Sequence, residues 1–316
     1  MFGWPSWLPP SRPSTLDSSV SLPAFGLLML VNLAWGLNVV VSEIAVDDLG
    51  VPPLFYALAR SMIVIVILAP LLRPVPRDLP RIMAVGLAIT GGSFSLFYLG
   101  LQSASPAAAG VVTLSGAPLT VLFAIIFLGE RVRWRRALGI ALAFGGVLIA
   151  VTGPGAIEAG AGVALIFASS VAGALGSVFV KRLEISSARL QAWAAVASIA
   201  TLLPLSLGLE SGQLEAVARS PWEVAACLAF AGLVVSLGAH TAFYWLLQRH
   251  DANQIVPLTL LSPLLTVAFG AWLTDDVVGP RLLIGGGVAL VGAAIIVLRP
   301  STNLPKPALT VSKDSL

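Results

Sequence analysis

The chain has 316 residues, of which 57% are hydrophobic and 10% charged, with a formal net charge of +3 at pH 7. A mean hydropathy of +0.95, with far fewer charges than the roughly 25% of soluble domains, excludes an ordinary water-soluble globular fold. The basic pI of 9.4 does not point to nucleic acid, because Lys and Arg sit between long apolar stretches.

Ten such stretches follow one another, with cores near 24–43, 54–72, 80–101, 106–128, 135–152, 161–180, 190–209, 222–246, 253–273 and 281–298. A hydrocarbon layer of about 30 Å takes roughly 20 apolar residues in a helix, and most of the ten approach or exceed that. Lipid offers no partner to a bare N–H or C=O, so each stretch is read as a helix. The expected fold is an all-α polytopic membrane protein with ten transmembrane helices. Residues 1–23 read as a Pro- and Trp-containing cytoplasmic tail. They hold no short apolar region with a small-residue cleavage site, so a removed signal peptide is not expected. Residues 299–316 read as a second cytoplasmic tail. Cys227, the lone cysteine, cannot form an intrachain disulfide.

Basic residues set the orientation. With a cytoplasmic N-terminus, fifteen of the 18 Lys and Arg residues fall on the cytoplasmic side, including Arg73, Arg77 and Arg81, then Arg131, Arg133, Arg135 and Arg136. Only Arg219 and Arg281 fall outside, while Arg60 lies within a helix. Both termini are therefore expected in the cytoplasm.

The segment from Ala117-Pro118-Leu119-Thr120 to Leu128-Gly129-Glu130 recurs as Ser262-Pro263-Leu264-Leu265 to Leu273-Thr274-Asp275. After a one-residue slip, Gly139, Ala143 and Gly146 match Gly285, Ala289 and Gly292. Each half then carries five helices, 24–152 and 160–298. Five is odd, so the halves enter the membrane from opposite sides. Such inverted repeats build many secondary transporters, with the solute bound where the repeats meet.

Trp35-Gly36-Leu37-Asn38, Pro52-Pro53 followed by Arg60, and Pro118 with Leu128-Gly129-Glu130-Arg131 resemble an EamA-type drug/metabolite transporter over residues 24–298. The resemblance implies a basket in which helices 1, 3, 4, 6, 8 and 9 surround a central cavity. It also implies export of amino acids or related small metabolites across a bacterial inner membrane.

Arg60 lies six residues past Leu54, about 9 Å along helix two at 1.5 Å per residue. A charge at that depth must be paired or face a cavity. It pairs with Glu43, snorkels to the outer headgroups, or binds a solute carboxylate bidentately. Trp35 and Asn38, three residues apart, share a face of helix one and serve a cavity or a packing contact; their counterparts Gly173 and Gly176 carry no side chain. Pro118 and Pro263 each free a backbone carbonyl one turn earlier, in helices expected to bend at the centre. Ser115 and Thr259 flank these bends and could supply hydroxyls.

His240 and Tyr244, four apart on helix eight, are candidate solute contacts, and His240 is the candidate proton carrier. Tyr98 serves the cavity or the membrane interface. Glu130, Arg131 and Asp275, at the ends of helices four and nine, are candidate gating residues.

The chain has no phosphate-binding Gly-x-x-x-x-Gly-Lys and no metal-spaced cluster. No enzyme activity, metal or cofactor is expected. The expected function is a secondary exporter working by alternating access, and the alternative is a lipid-linked flippase or membrane assembly factor. Expected partners are a small-molecule metabolite and the lipid bilayer, with a homodimer left open and no nucleic acid.

Overall fold

The computed structural model describes residues 22–128, 134–151, 156–180, 182–249, 255, 258–259, 261–273 and 279–298, and every regular element among them is helical. In chain order the apolar helical segments are α1 (Leu22–Asp48), α2 (Pro53–Leu72), α3 (Leu79–Leu101), α4 (Ala108–Phe127), α5 (Ala137–Ala150), α6 (Gly160–Val180), α7 (Ser187–Leu209), α8 (Pro221–Arg249), α9 (Leu261–Leu273) and α10 (Pro280–Ile295). Seven of them are long and apolar enough to cross a bilayer; α5, α9 and α10 are apolar but shorter over the described residues. This is a multi-pass membrane protein.

Local chemistry sets the breaks. α1 ends in a π-helical turn, Ile44–Asp48, and Gly50 follows with a φ of 66°, a left-handed conformation open to glycine at little cost. Pro53 then stands at the first position of α2, where a missing N–H costs nothing. The next two N–H groups of α2 are satisfied from far along the chain: Leu54 N and Phe55 N donate to the Glu210 carboxylate at 2.7 and 2.9 Å. Ser206 Oγ donates to the same carboxylate at 2.7 Å. An acid at this end also complements the helix dipole. In sequence Glu210 reads only as a loop acid. The structure makes it the cap that ties α2 to α7.

α4 is two helices rather than one bent helix. Pro106–Thr113 opens with Ser105 as N-cap, its side chain accepting from Ala108 N. The chain turns at Leu114 and Ser115, and a second helix runs over Gly116–Leu128. Pro118 therefore sits in the first turn of a helix, which tolerates the missing N–H, instead of in the middle of one. Pro263 likewise lies in the first turn of α9.

The helices form a ring. α8 packs on α1, α1 on α9, α9 on the first part of α4, the second part of α4 on α6, and α6 on α3. α2 closes the ring by contacting both α3 and α8, with α7 behind it. α5 and α10 form a separate, extensive pair. Exchanging the two halves turns each major contact into another: α1 on α9 becomes α6 on α4, and α3 on α6 becomes α8 on α1. α2 with α7 and α5 with α10 map onto themselves. The duplicated sequence thus packs as a duplicated structure.

In the α5–α10 pair the backbones touch. A Cβ on Gly146 would fall 2.2 Å from Ala289 N, and one on Gly292 2.3 Å from Ala143 N. Small residues permit such approach where water gives no hydrophobic drive between helices. Gly145, next to Gly146, has nothing within 4 Å of an added Cβ. Gly146→Leu should therefore lower stability in detergent by about 3 kcal/mol or more, as overpacking does, while Gly145→Leu leaves the melting temperature nearly unchanged. Glu210→Ala should cost about 1–2 kcal/mol by loss of the cap, read in the same thermal melts.

Candidate functional site

A cavity of about 320 Å³ occupies the middle of the ring, at the lower end of the roughly 300–1,000 Å³ of small-molecule sites. Its wall draws on α1, α3, α4, α6 and α8, on α9 with Thr259 just before it, and on α2 through Arg60. Both halves contribute.

Arg60 is 1% exposed. Its Nε and Nη2 donate to Ser236 Oγ of α8 at 3.0 and 2.7 Å, and its Nη1 donates to the Tyr98 hydroxyl of α3. The guanidinium carbon lies 4.5 Å from the centroid of the Phe94 ring. The donors can be followed outward. Ser236 gives its own hydrogen to Ala231 O at 2.8 Å. Ser42 gives its hydrogen to Asn38 O at 2.6 Å, so across the 3.3 Å contact Tyr98 donates to Ser42. Among the described residues, every oxygen that receives an Arg60 hydrogen is a neutral hydroxyl. The guanidinium bonds to α3 and α8, and Glu43 is not among these described bonding partners. A buried cation normally requires an anion close by.

The local backbone explains how α8 reaches this point. Phe230–His240 is π-helical, and its side-chain bonds step back five residues: Ser236 to Ala231, and His240 Nδ1 to Val235 O at 2.9 Å. π-helices are rare and concentrate at functional sites. α3, the third helix of the first half, has its own π-helical stretch at Leu87–Gly91.

Aromatic rings form one side of the cavity. Trp35 lies 5.3 Å from His240 and 4.8 Å from Phe243, centroid to centroid. Phe94 lies 5.8 Å from His240, and Tyr244 closes the group at 6.2 Å. Trp35 Nε1 and Asn38 Oδ1 are buried with no hydrogen-bond partner among the described residues, although both residues line the cavity. Unmet polar atoms are rare in folded interiors, and a solute can satisfy these two.

The repeat counterparts of Trp35 and Asn38 divide. A Cβ on Gly173 would meet only Ser93 Oγ, at 3.8 Å, so this glycine widens the cavity. One on Gly176 would fall 2.4 Å from Ile89 Cγ2, so that glycine lets α6 pack on α3.

Of the candidates from sequence, the structure brings Trp35, Asn38, Arg60, Tyr98, His240, Tyr244, Thr259 and Pro263 to one cavity. Ser115 is fully buried, lies in the α4 break and is not on the wall. Pro118 follows the wall residues Gly116 and Ala117. Glu130, Arg131 and Asp275 lie outside the described residues.

Sequence reasoning missed Ser236, Phe94 and Asn32. Asn32, fully buried in α1, bridges the start of α9. Its Nδ2 donates to Leu258 O at 3.0 Å, and its Oδ1 accepts from Ser262 N at 2.9 Å. The carboxamide thus ties α1 to Leu258 and to the first turn of α9, while a Cβ on Gly36 would fall 2.6 Å from Leu265 Cβ. The register pairing Trp35 with Gly173 sets Ser170 against Asn32. Ser170 is too short to do the same, and bonds Ile166 O of its own helix at 3.1 Å. An Asn inside a membrane segment was the signal available.

The model of the EamA-like transporter family matches the chain twice, over residues 22–152 and 160–298. A probable amino-acid metabolite efflux pump of Escherichia coli (strain K12) is 29% identical over 285 residues, covering 85% of this chain and 91% of that protein. A probable terminal-alkyne amino-acid exporter of Streptantibioticus cattleyicolor is 28% identical over 283 residues, covering 85% and 91%. A crystal structure of a protein 20% identical in sequence superposes with a TM-score of 0.61, covering 88% of this chain and 98% of its own. That likeness concerns the fold.

Asn32→Leu should strip two backbone groups of their partner and cost about 1–3 kcal/mol. Hydrogen exchange would show the loss first at Ser262. Ser170→Ala, which breaks only a bond within one helix, should change stability by less than about 0.5 kcal/mol.

Proposed function

The chain belongs to the EamA-like transporter family, and we propose that it is a secondary exporter of carboxylate-bearing small metabolites, amino acids among them, across the bacterial inner membrane. The protein is a transporter and not an enzyme. One observation carries the substrate assignment: Arg60 is buried at the cavity with only neutral oxygens around its N–H groups. A solute carboxylate supplies the missing anion, and a guanidinium binds it with two donors at once. The names of two relatives, an amino-acid metabolite efflux pump and an amino-acid exporter, agree with a solute of this kind.

In this proposal Tyr98 and Ser236 aim the guanidinium. Trp35 and Asn38 bond the solute's polar atoms, and His240, Tyr244 and Thr259 shape its compartment. Ten membrane crossings, with both termini in the cytoplasm, follow from the ten apolar segments and the clustering of basic residues. Transport proceeds by alternating access as the five-helix halves rock about the cavity, a motion for which paired broken helices and duplicated packing are suited. The break before Pro118 and the first turn of α9 at Pro263 are the hinges. The Asn32 bridge holds the α9 hinge shut on the side of the cavity where α1 begins. Glu130, Arg131 and Asp275 are proposed to restrain the far ends of the same helices.

Vesicles containing the purified protein test this. Labelled amino acids should cross faster than in empty vesicles. Arg60→Gln should slow them by roughly a hundredfold, within the range set by the 2–5 kcal/mol of losing one member of a buried charge pair. Undiminished transport by a folded Arg60→Gln protein, or lipid scrambling without solute movement, would end the proposal.

A further inference from the structure

Resting on Arg60 as the carboxylate ligand, we infer that the cavity selects solutes by net charge: it takes an apolar-bodied monoanion in preference to the matching zwitterion, and rejects the matching cation. Among the described residues that line it, Arg60 is the sole Lys, Arg, Asp or Glu. An amino acid brings both a carboxylate and an ammonium. The carboxylate finds Arg60, but the ammonium finds no fixed anion on the wall.

What remains for an ammonium carries no formal charge. Aromatic faces attract cations only modestly, and the Phe94 face already holds the Arg60 guanidinium at 4.5 Å. A second cation beside Arg60 is repelled by it in a medium of low effective dielectric. Trp35 Nε1, one of the two unmet polar atoms, is a donor and has nothing to offer an ammonium. Asn38 can present either end of its amide by rotation, so it accommodates an anion equally well. The rest of the described wall is uncharged, with rings such as Trp35 and Phe243 beside neutral hydroxyls such as Ser93, Ser169 and Thr120. It suits a body of phenyl or branched-alkyl size. In the family setting, the solutes so favoured are deaminated or N-acylated relatives of apolar amino acids, in which the amino charge is removed.

Three solutes with one carbon skeleton separate the charges: 3-phenylpropanoate carries only the carboxylate, phenylalanine carries both groups, and phenethylamine carries only the ammonium. Calorimetric titration of the full-length wild-type protein in detergent should rank them in that order. 3-Phenylpropanoate should bind at least about tenfold more tightly than phenylalanine, and phenethylamine should show no saturable binding. Arg60→Gln should remove the gap between the first two, and Arg60→Lys should keep their order at lower affinity.

Phenylalanine binding as tightly as 3-phenylpropanoate, or no binding of the anion at all, overturns the inference. If phenylalanine wins while Arg60→Gln weakens both solutes, charge selection fails but Arg60 stands as the carboxylate ligand. A folded Arg60→Gln protein that binds both solutes as wild type does overturns the two together. The ranking is made on the wild-type chain, so it holds whether or not a variant folds.

Discussion

A guanidinium 1% exposed in the middle of a helical membrane protein is costly wherever it is placed, and the surrounding architecture follows from keeping it there. Charges inside membrane segments face bundle interiors or water-filled spaces because lipid cannot solvate them. Here α2 closes the ring between α3 and α8, and Arg60 spans that gap to Tyr98 and Ser236. The two hydroxyls orient the charge without neutralising it. Such an arrangement holds a buried cation by uncharged acceptors on two neighbouring helices.

The second constraint is backbone hydrogen bonding. A helix interrupted within a membrane leaves N–H and C=O groups that only protein or enclosed water can satisfy. Equivalent positions in the two halves handle this differently. At the start of α9 the Asn32 carboxamide reaches Leu258 O and Ser262 N from α1. At α4 the opposing residue is Ser170, which bonds its own helix. Two halves with matching contacts therefore differ in the hydrogen bonds made by equivalent residues.

Around this centre the scaffold is rigid where it can be. α5 and α10 meet backbone to backbone through Gly146, Gly285 and Gly292, leaving no room for a side chain to loosen the contact. Glu210 fixes the start of α2 and so the depth of Arg60, six residues on. Its two N–H bonds at 2.7 and 2.9 Å bear on the cavity at one remove, since a shift of α2 would carry the guanidinium away from Tyr98 and Ser236.

Much was legible in the residues alone, because lipid imposes simple rules. Long apolar runs had to be helices, a duplicated Pro-to-acid segment had to be structurally equivalent, and an arginine within such a run had to be inward and special. Trp35, Asn38 and His240 were visible as polar or amphipathic groups where lipid penalises them. Tertiary structure alone decided which of these meet. Arg60 was a candidate partner for Glu43 by proximity in topology, but the five-residue step of the π-helix in α8 turned Ser236 toward it. Ser115 was grouped with the cavity by sequence distance, yet the turn at Leu114 and Ser115 buries it away from the wall. Asn32 and Glu210 act across separations of 230 and 156 residues, and nothing in local pattern forecasts a partner so far along the chain. Helix and burial are set by each segment's own exchange with lipid, whereas hydrogen-bond partnership is set by where helices cross, and that depends on every segment at once.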